Sequence, residues 1–176
     1  SIDHEEKVIY LGTFSKSIAP SLRISYMVLP LHLLKKYQES CSFYSTTVSK
    51  IQQEVLREFI RGGYFGRHLN KMRGIYKNKH DFLVGELKKK NWVENIAGDN
   101  AGLHVLVQVN TTLTEEEICK KAAECGIRLM GIREHYIHTP PEGRPVLLLG
   151  YGKPDEQEIQ KGLEVLESIV LENRIP

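Results

Sequence analysis

The sequence predicts a mixed α/β chain in two parts, and three observations carry that prediction. Short β-branched apolar runs open the chain, a block of helical periodicity follows, and beyond Lys90 short strands and helices interleave. At 176 residues, 41% hydrophobic and 26% charged, the chain has the size of one domain or two small ones. It can bury a core without disulfide staples, and its composition is not that of a disordered chain. The boundary is expected at the end of the long helix, around Lys88 to Asn91, which gives parts spanning 1–88 and 89–176.

The elements follow in order. Val8-Ile9-Tyr10-Leu11, closed by Gly12, reads as a buried strand. Leu22 to Leu29, closed by Pro30, reads as the next strand, with no burial implied, since Ile24, Tyr26 and Val28 fit strand alternation. The nine residues between them are too few for a helical crossover, so the two strands are expected to be antiparallel neighbours. Leu31 to Ser40 forms a short helix after Pro30. Val48, Ile51, Val55, Leu56 and Phe59 make the apolar stripe of a second helix, stopped by Gly62-Gly63. From about Tyr64 to Lys90, Phe65, Leu69, Met72, Tyr76, Leu83 and Leu87 recur at three–four spacing along a long helix.

The second part reads as α+β. Trp92-Val93 and Leu103 to Val109 are strands, the latter with Leu103, Val105, Val107 and Val109 alternating inward. Thr114-Glu115-Glu116-Glu117 is a capping box that opens a helix ending at Gly126. Ile127 to Met130 is a strand, Thr139-Pro140-Pro141-Glu142-Gly143 a loop and Val146 to Leu149 a fully apolar strand. Pro154 to Leu171 is the last helix, with Ile159, Leu163, Leu166 and Val170 on one face. The expected arrangement is an antiparallel or mixed sheet with two helices on one face.

Composition narrows the function. Twenty-four Lys and Arg against 22 Asp and Glu leave a net charge of +2, which does not mark a nucleic-acid binder. The basic residues of the long helix spread around it without interleaved aromatics, the pattern of a solvated face. Three Cys at unpaired spacing argue against a secreted disulfide scaffold and for reduced thiols in the cytoplasm. No apolar run reaches membrane-spanning length, and Ser1 to Lys7 is polar and acidic, unlike a secretory signal. His135 and His138 lack a third ligand at metal-site spacing and read as loop histidines. Cys119 and Cys125 do not face each other on their helix and read as packing residues.

The chemistry-bearing stretch is Tyr10 to Pro30. Lys16 follows the first strand in a loop rich in hydroxyls, and Arg23 stands seven residues on. A lysine amine condenses with an aldehyde, and a nearby phosphate needs donors of fixed geometry. Thr13, Ser15, the loop amides and the Arg23 guanidinium can supply them. That pairing is what holding pyridoxal phosphate requires. On chemistry alone, however, a lysine in a Ser/Thr loop is ordinarily a solvated side chain.

The segment Gly12-Thr13-Phe14-Ser15-Lys16-Ser17-Ile18-Ala19-Pro20-Ser21-Leu22-Arg23-Ile24-Ser25-Tyr26 resembles the cofactor-lysine segment of fold-type I pyridoxal-phosphate enzymes. Within them it is most similar to the aminotransferase-like domain of MocR regulators, a branch of the GntR transcription factors. The resemblance continues through Glu58-Phe59-Ile60-Arg61-Gly62-Gly63-Tyr64-Phe65-Gly66-Arg67-His68-Leu69, Ala101-Gly102-Leu103-His104 and Leu147-Leu148-Leu149-Gly150-Tyr151. It spans nearly the whole chain. It implies that Lys16 is the Schiff-base lysine, that Thr13 and Ser15 contact the cofactor phosphate, and that Arg23 is the phosphate arginine. For the effector or substrate carboxylate it points to Arg133, with Arg128 and Arg144 as rivals.

The resemblance also implies an architecture: the end of the large domain plus the small C-terminal domain of a fold-type I transferase. The family's pyridine-pairing aspartate, ring-stacking aromatic and glycine-rich phosphate turn have no counterpart in this sequence. The chain therefore reads as a C-terminal portion that binds pyridoxal 5'-phosphate weakly or not at all by itself. In the intact protein an internal aldimine on Lys16 would be exchanged by a small amino-compound effector. DNA would be read by a separate N-terminal winged helix, and a homodimer without membrane contact is expected. Two rival readings stay open: a true aminotransferase in which Lys16 is the general base, and a dimerisation module with a vestigial site.

Overall fold

The computed structural model describes residues 3–98, 102–139 and 142–174. Of the sequence features above, Ala101 and the Pro140-Pro141 pair lie outside these residues. The chain divides into two compact units, Ser1–Met72 and Arg73–Pro176, and the division falls inside the long helix rather than at its end.

The first unit holds a two-stranded antiparallel sheet, β1 (Tyr10–Thr13) and β2 (Ser25–Val28), with Tyr10 opposite Val28 and Thr13 opposite Ser25. Helix α1 (Leu31–Cys41) follows Pro30. Helix α2 (Lys50–Arg61) is capped by the Ser49 hydroxyl, which accepts from the Gln52 amide at 3.2 Å. It ends where the Gly62 amide reaches the Glu58 carbonyl and Gly63 takes φ +70°, a conformation that favours glycine. Helix α3 (Tyr64–Leu87) starts immediately afterwards.

Two expectations fail in this unit. The first strand, expected to be buried, is largely exposed, because a two-stranded sheet has no second layer to cover it; Leu11 is 76% accessible. Pairing in β1 also sits further along than the run from Val8 to Leu11 suggests, while β2 lies inside the strand expected from Leu22 to Leu29 but is shorter. The carbonyls of Leu22 and Ile24 are used to close the intervening loop, so ladder pairing begins at Ser25.

The second unit has a four-stranded sheet in the order β3-β4-β6-β5, all antiparallel. The strands are β3 (Val93–Ala97), β4 (His104–Val109), β5 (Met130–Gly131) and β6 (Val146–Gly150). Val105, Val107 and Val109 of β4 and Leu147 and Leu149 of β6 bury one face in strict alternation. Helices α4 (Glu115–Glu124) and α5 (Glu156–Leu171) pack on each other and add Ile118, Ala122, Ile159, Leu163, Leu166 and Val170 to the same core. The C-terminal turns of α3 complete it with Leu83, Val84 and Leu87. Trp92 is fully buried, and its indole donates to Glu167 Oε1 at 3.1 Å. Both helices open with complete capping boxes, Thr114/Glu117 and Asp155/Glu158.

Candidate functional site

The segment that carries Lys16 is a doubled-back loop between β1 and β2. The Phe14 amide donates to the Ile24 carbonyl at 2.9 Å, and Ser15 Oγ donates to the Leu22 carbonyl at 2.5 Å. These bonds clamp the strand that leads to Arg23 against the arm that leads to Lys16. A tighter turn at the tip is closed by Ile18 N to Phe14 O, 2.8 Å, and Leu22 N to Ala19 O, 3.0 Å. The base of the loop is fixed by packing. Ile24 is its buried apolar anchor, and the Tyr26 ring lies so close over Gly12 that a Cβ there would sit 2.3 Å from the ring. The Phe14 ring meets Tyr26 at 5.3 Å and Phe65 at 5.9 Å, and Phe65 meets Phe59. An aromatic cluster thus ties the lysine arm to α2 and to the start of α3.

Ser15, Lys16 and Arg23 therefore share one loop, with Thr13 at its base as the last residue of β1. Lys16 and Arg23 are exposed, and neither side chain makes a hydrogen bond or ion pair among the described residues. The backbone N–H groups of Lys16 and Ser17 also have no partner among them. The two hydroxyls are differently placed. Thr13 Oγ1 donates to the Ile24 carbonyl at 3.3 Å and accepts from the Ser15 amide at 3.2 Å, while Ser15 Oγ donates to Leu22. Each must rotate away from its carbonyl before it can donate to an anion. A free amine, a free guanidinium and two free amides on one loop are a donor set that suits a phosphate-bearing aldehyde, and the residues fit pyridoxal phosphate in that sense.

Arg133 lies in the other unit, in a 3₁₀ turn (Arg133–His135) that has no signature in the sequence. Its surroundings centre on Glu115, a buried carboxylate at the first turn of α4. Glu115 Oε2 accepts from the Arg133 amide at 2.8 Å and Oε1 from the Val146 amide at 2.9 Å. The Arg133 guanidinium stands 3.9 Å from Oε1 and donates to the Gly143 carbonyl at 3.3 Å. Gly131 is required beside it, since a Cβ there would meet Glu115 Oε2 at 2.3 Å. Arg144 is paired with Glu94 at 2.8 Å and also donates to the Asn110 side chain. Arg128 is exposed and makes no side-chain contact of that kind among the described residues. Nothing in the sequence singles out Glu115 beyond its place inside a capping box.

Several basic residues of the long helix have structural partners. Arg67 stacks over the Tyr64 ring at 4.6 Å, and Lys79 Nζ donates to the carbonyls of Gly152, Lys153 and Pro154. Just beyond the helix, Lys89 pairs back with Glu86 and Lys90 pairs with Glu167. Cys119 is packed beside the core, and burial, reinforced by Glu115 and Glu134, pushes its thiol up. Cys125, expected to pack, is exposed. No helix among the described residues is long and apolar enough to cross a membrane.

With this geometry in hand, solved structures place the fold. The chain superposes on the multiple substrate aminotransferase of Thermococcus profundus with a TM-score of 0.79 at 23% identity, covering 97% of this chain and 42% of that one. It matches Pyrococcus horikoshii kynurenine aminotransferase, solved in complex with PMP, at a TM-score of 0.77 and 26% identity, with the same coverage. The fold is that of part of a fold-type I aminotransferase. Residues 1–160 match the family model for aminotransferase class I and II, and the chain belongs to that family. Its relatives include an uncharacterized HTH-type transcriptional regulator, YdeL of Bacillus subtilis, 38% identical over 95% of this chain and 36% of that protein. The probable rhizopine catabolism regulatory protein MocR of Rhizobium meliloti is 29% identical over 97% of this chain and 34% of its own length. The chain thus spans about a third of the length of these curated relatives.

Proposed function

We propose that the chain is the C-terminal part of a pyridoxal-phosphate-binding, aminotransferase-like effector and dimerisation domain in a MocR/GntR-type transcriptional regulator. The observation that carries the site is the clamped loop on which the Lys16 amine and Arg23 guanidinium stand free beside two unpaired amides. The similarity to HTH-type regulators over 95% of the chain supports the regulatory setting. Residues 1–88 then close the large domain, and 89–176 form the small one.

When bound, the cofactor supplies an aldehyde carbon that can exchange one amine for another. Lys16 Nζ is the amine that holds it at rest. Arg23 and the Lys16 and Ser17 amides hold the phosphate, with Thr13 and Ser15 turning their hydroxyls toward it. Lys16 would be the amine that an amino-compound effector replaces, and Arg133, on the second unit, would be the residue offered to the effector's carboxylate, for which its guanidinium would have to leave the Gly143 carbonyl. For DNA binding to change, the two occupancy states must differ in their contacts within the domain. The exposed apolar side chains of the first unit, Tyr10, Leu11 and Met27 among them, suit coverage by a second copy.

The test uses the full-length gene product. Lys16→Ala should abolish covalent cofactor retention after borohydride reduction, read by intact mass. It should also abolish any operator response to amino compounds; an unchanged response would remove Lys16 from the switch. The likeness to solved aminotransferases favours one second reading, a working aminotransferase with Lys16 as general base. Turnover of an amino acid with an oxo-acid, lost in Lys16→Ala, would establish that reading in place of the first.

A further inference from the structure

We infer that the second unit carries a separate small-molecule site, for a compact apolar carboxylate, in the cavity between α5 and the segment from Gly126 to Leu129. The cavity has a volume of about 390 Å³, within the range of ligand pockets. Its floor is hydrocarbon: Leu83, Leu149, Ile159, Leu163 and Leu166 line it, and all five are core residues. Its rim is cationic. Arg128 and Lys153 line it, both are exposed, and neither side chain has a partner among the described residues. The one carboxylate on the rim, Glu158, is committed to the α5 capping box, where it accepts from the Asp155 amide at 2.9 Å.

Two features show that the space is preformed. Lys79 Nζ holds the carbonyls of Gly152, Lys153 and Pro154 at 3.4, 3.2 and 2.6 Å, which fixes the backbone of the rim. Gly162 lines the cavity from within α5, where glycine is unfavourable relative to alanine. No neighbour demands a glycine there, since a Cβ at that position would meet nothing within 4 Å. Its effect is to leave the cavity open.

The ligand class follows from floor and rim together. A hydrocarbon body gains from leaving water against the leucine and isoleucine floor. A carboxylate attached to it can stay at the wet rim and meet a guanidinium and an ammonium without being desolvated. A neutral analogue of the same shape forgoes the second contribution. Lys16 takes no part, so this site and the cofactor reading stand or fall separately.

The probe is 3-phenylpropionate, titrated into the ¹⁵N-labelled 176-residue chain, with 3-phenylpropionamide as its uncharged twin. Saturable amide shifts are expected at Gly126, Arg128, Gly150 and Gly162, with the amide at least tenfold weaker. Arg128→Gln combined with Lys153→Gln should weaken the acid by a similar factor. Gly162→Leu should fill the cavity and abolish binding while the remaining amide spectrum stays native. Lys16→Ala should bind as the parent does. The inference is overturned by the absence of saturable shifts at millimolar probe, by equal binding of acid and amide, or by full binding in Gly162→Leu.

Discussion

The two units solve different problems with similar material. In the second, valines of β4, leucines of β6 and one face each of α4 and α5 close around a core in which Trp92, Leu87 and Val107 have no solvent exposure. In the first, Ile24 is the buried hydrophobic residue, and the apolar stripe of α2 is only partly covered: Phe59 joins the aromatic cluster and Leu56 is half-buried, while Ile51 is 77% and Val55 66% accessible. The second unit is a folding unit by its own burial. The first is a scaffold for a loop, held by hydrogen bonds and an aromatic cluster. On the proposed function, chemistry is presented by the unit with less core while the larger core lies in the other, as expected where binding groups sit on loops that packed elements support.

That contrast can be broken at its strongest point. Trp92→Ala removes the largest fully buried side chain and takes the indole donor from Glu167 Oε1; it should cost about 3–5 kcal/mol of unfolding free energy, measured by urea denaturation. A loss near zero would mean that the second unit is not organised around this core. Glu167→Ala is the next step down. It leaves the Trp92 indole and the Lys90 ammonium without their acceptor, and about 1–3 kcal/mol should be lost.

The same carboxylate gives a pH dependence. Hydrogen bonding to Lys90, with a further bond from Trp92, holds Glu167 below the usual carboxylate range. Its folded pKa is thus below its unfolded value near 4.3. The contribution is complete above that unfolded value and is lost as pH falls through the folded one. Urea midpoints taken downward from pH 5 should therefore decline less steeply in Glu167→Gln than in the parent; parallel curves would dissociate Glu167 from the acid limb.

Smaller effects sharpen the comparison from the other side. Val55→Ser, on the exposed part of that stripe in the first unit, should change stability by no more than about 0.5 kcal/mol in the isolated chain. A larger loss would reveal that the stripe is covered in solution. Thiol labelling near neutral pH should modify the exposed Cys125 before Cys119, whose thiol burial pushes up.

Legibility in the sequence followed the same divide. Where burial alone decides, as in β4, β6 and α5, alternation and three–four spacing located the core residues. Where local hydrogen bonding competes, pattern misled. The run at Val8 to Leu11 shows hydrophobicity but not that pairing centres on Gly12 beneath the Tyr26 ring. Strand β3 extends to Ala97 through Glu94 and Asn95, and an irregularity between Val93 and Asn95 breaks its period of two. Strand β5 starts at Met130 because the Ile127 amide is spent on the Ala122 carbonyl, closing α4. The Lys16 loop was legible through the order of its residues. The engagement of Thr13 and Ser15 with backbone carbonyls, and the grip of Glu115 on Arg133, depend on partners far along the chain and leave no local trace.

Glu115 also constrains the length of the chain around it. The same residue begins α4 and, with its two carboxylate oxygens, collects the amides of Arg133 and Val146. The stretch from Glu115 to Arg133 is therefore a closed ring of fixed circumference, pinned at both ends by one side chain. An extra residue inside it has to bulge out in the turn between α4 and β5, or the Arg133 amide is drawn off Glu115 Oε2.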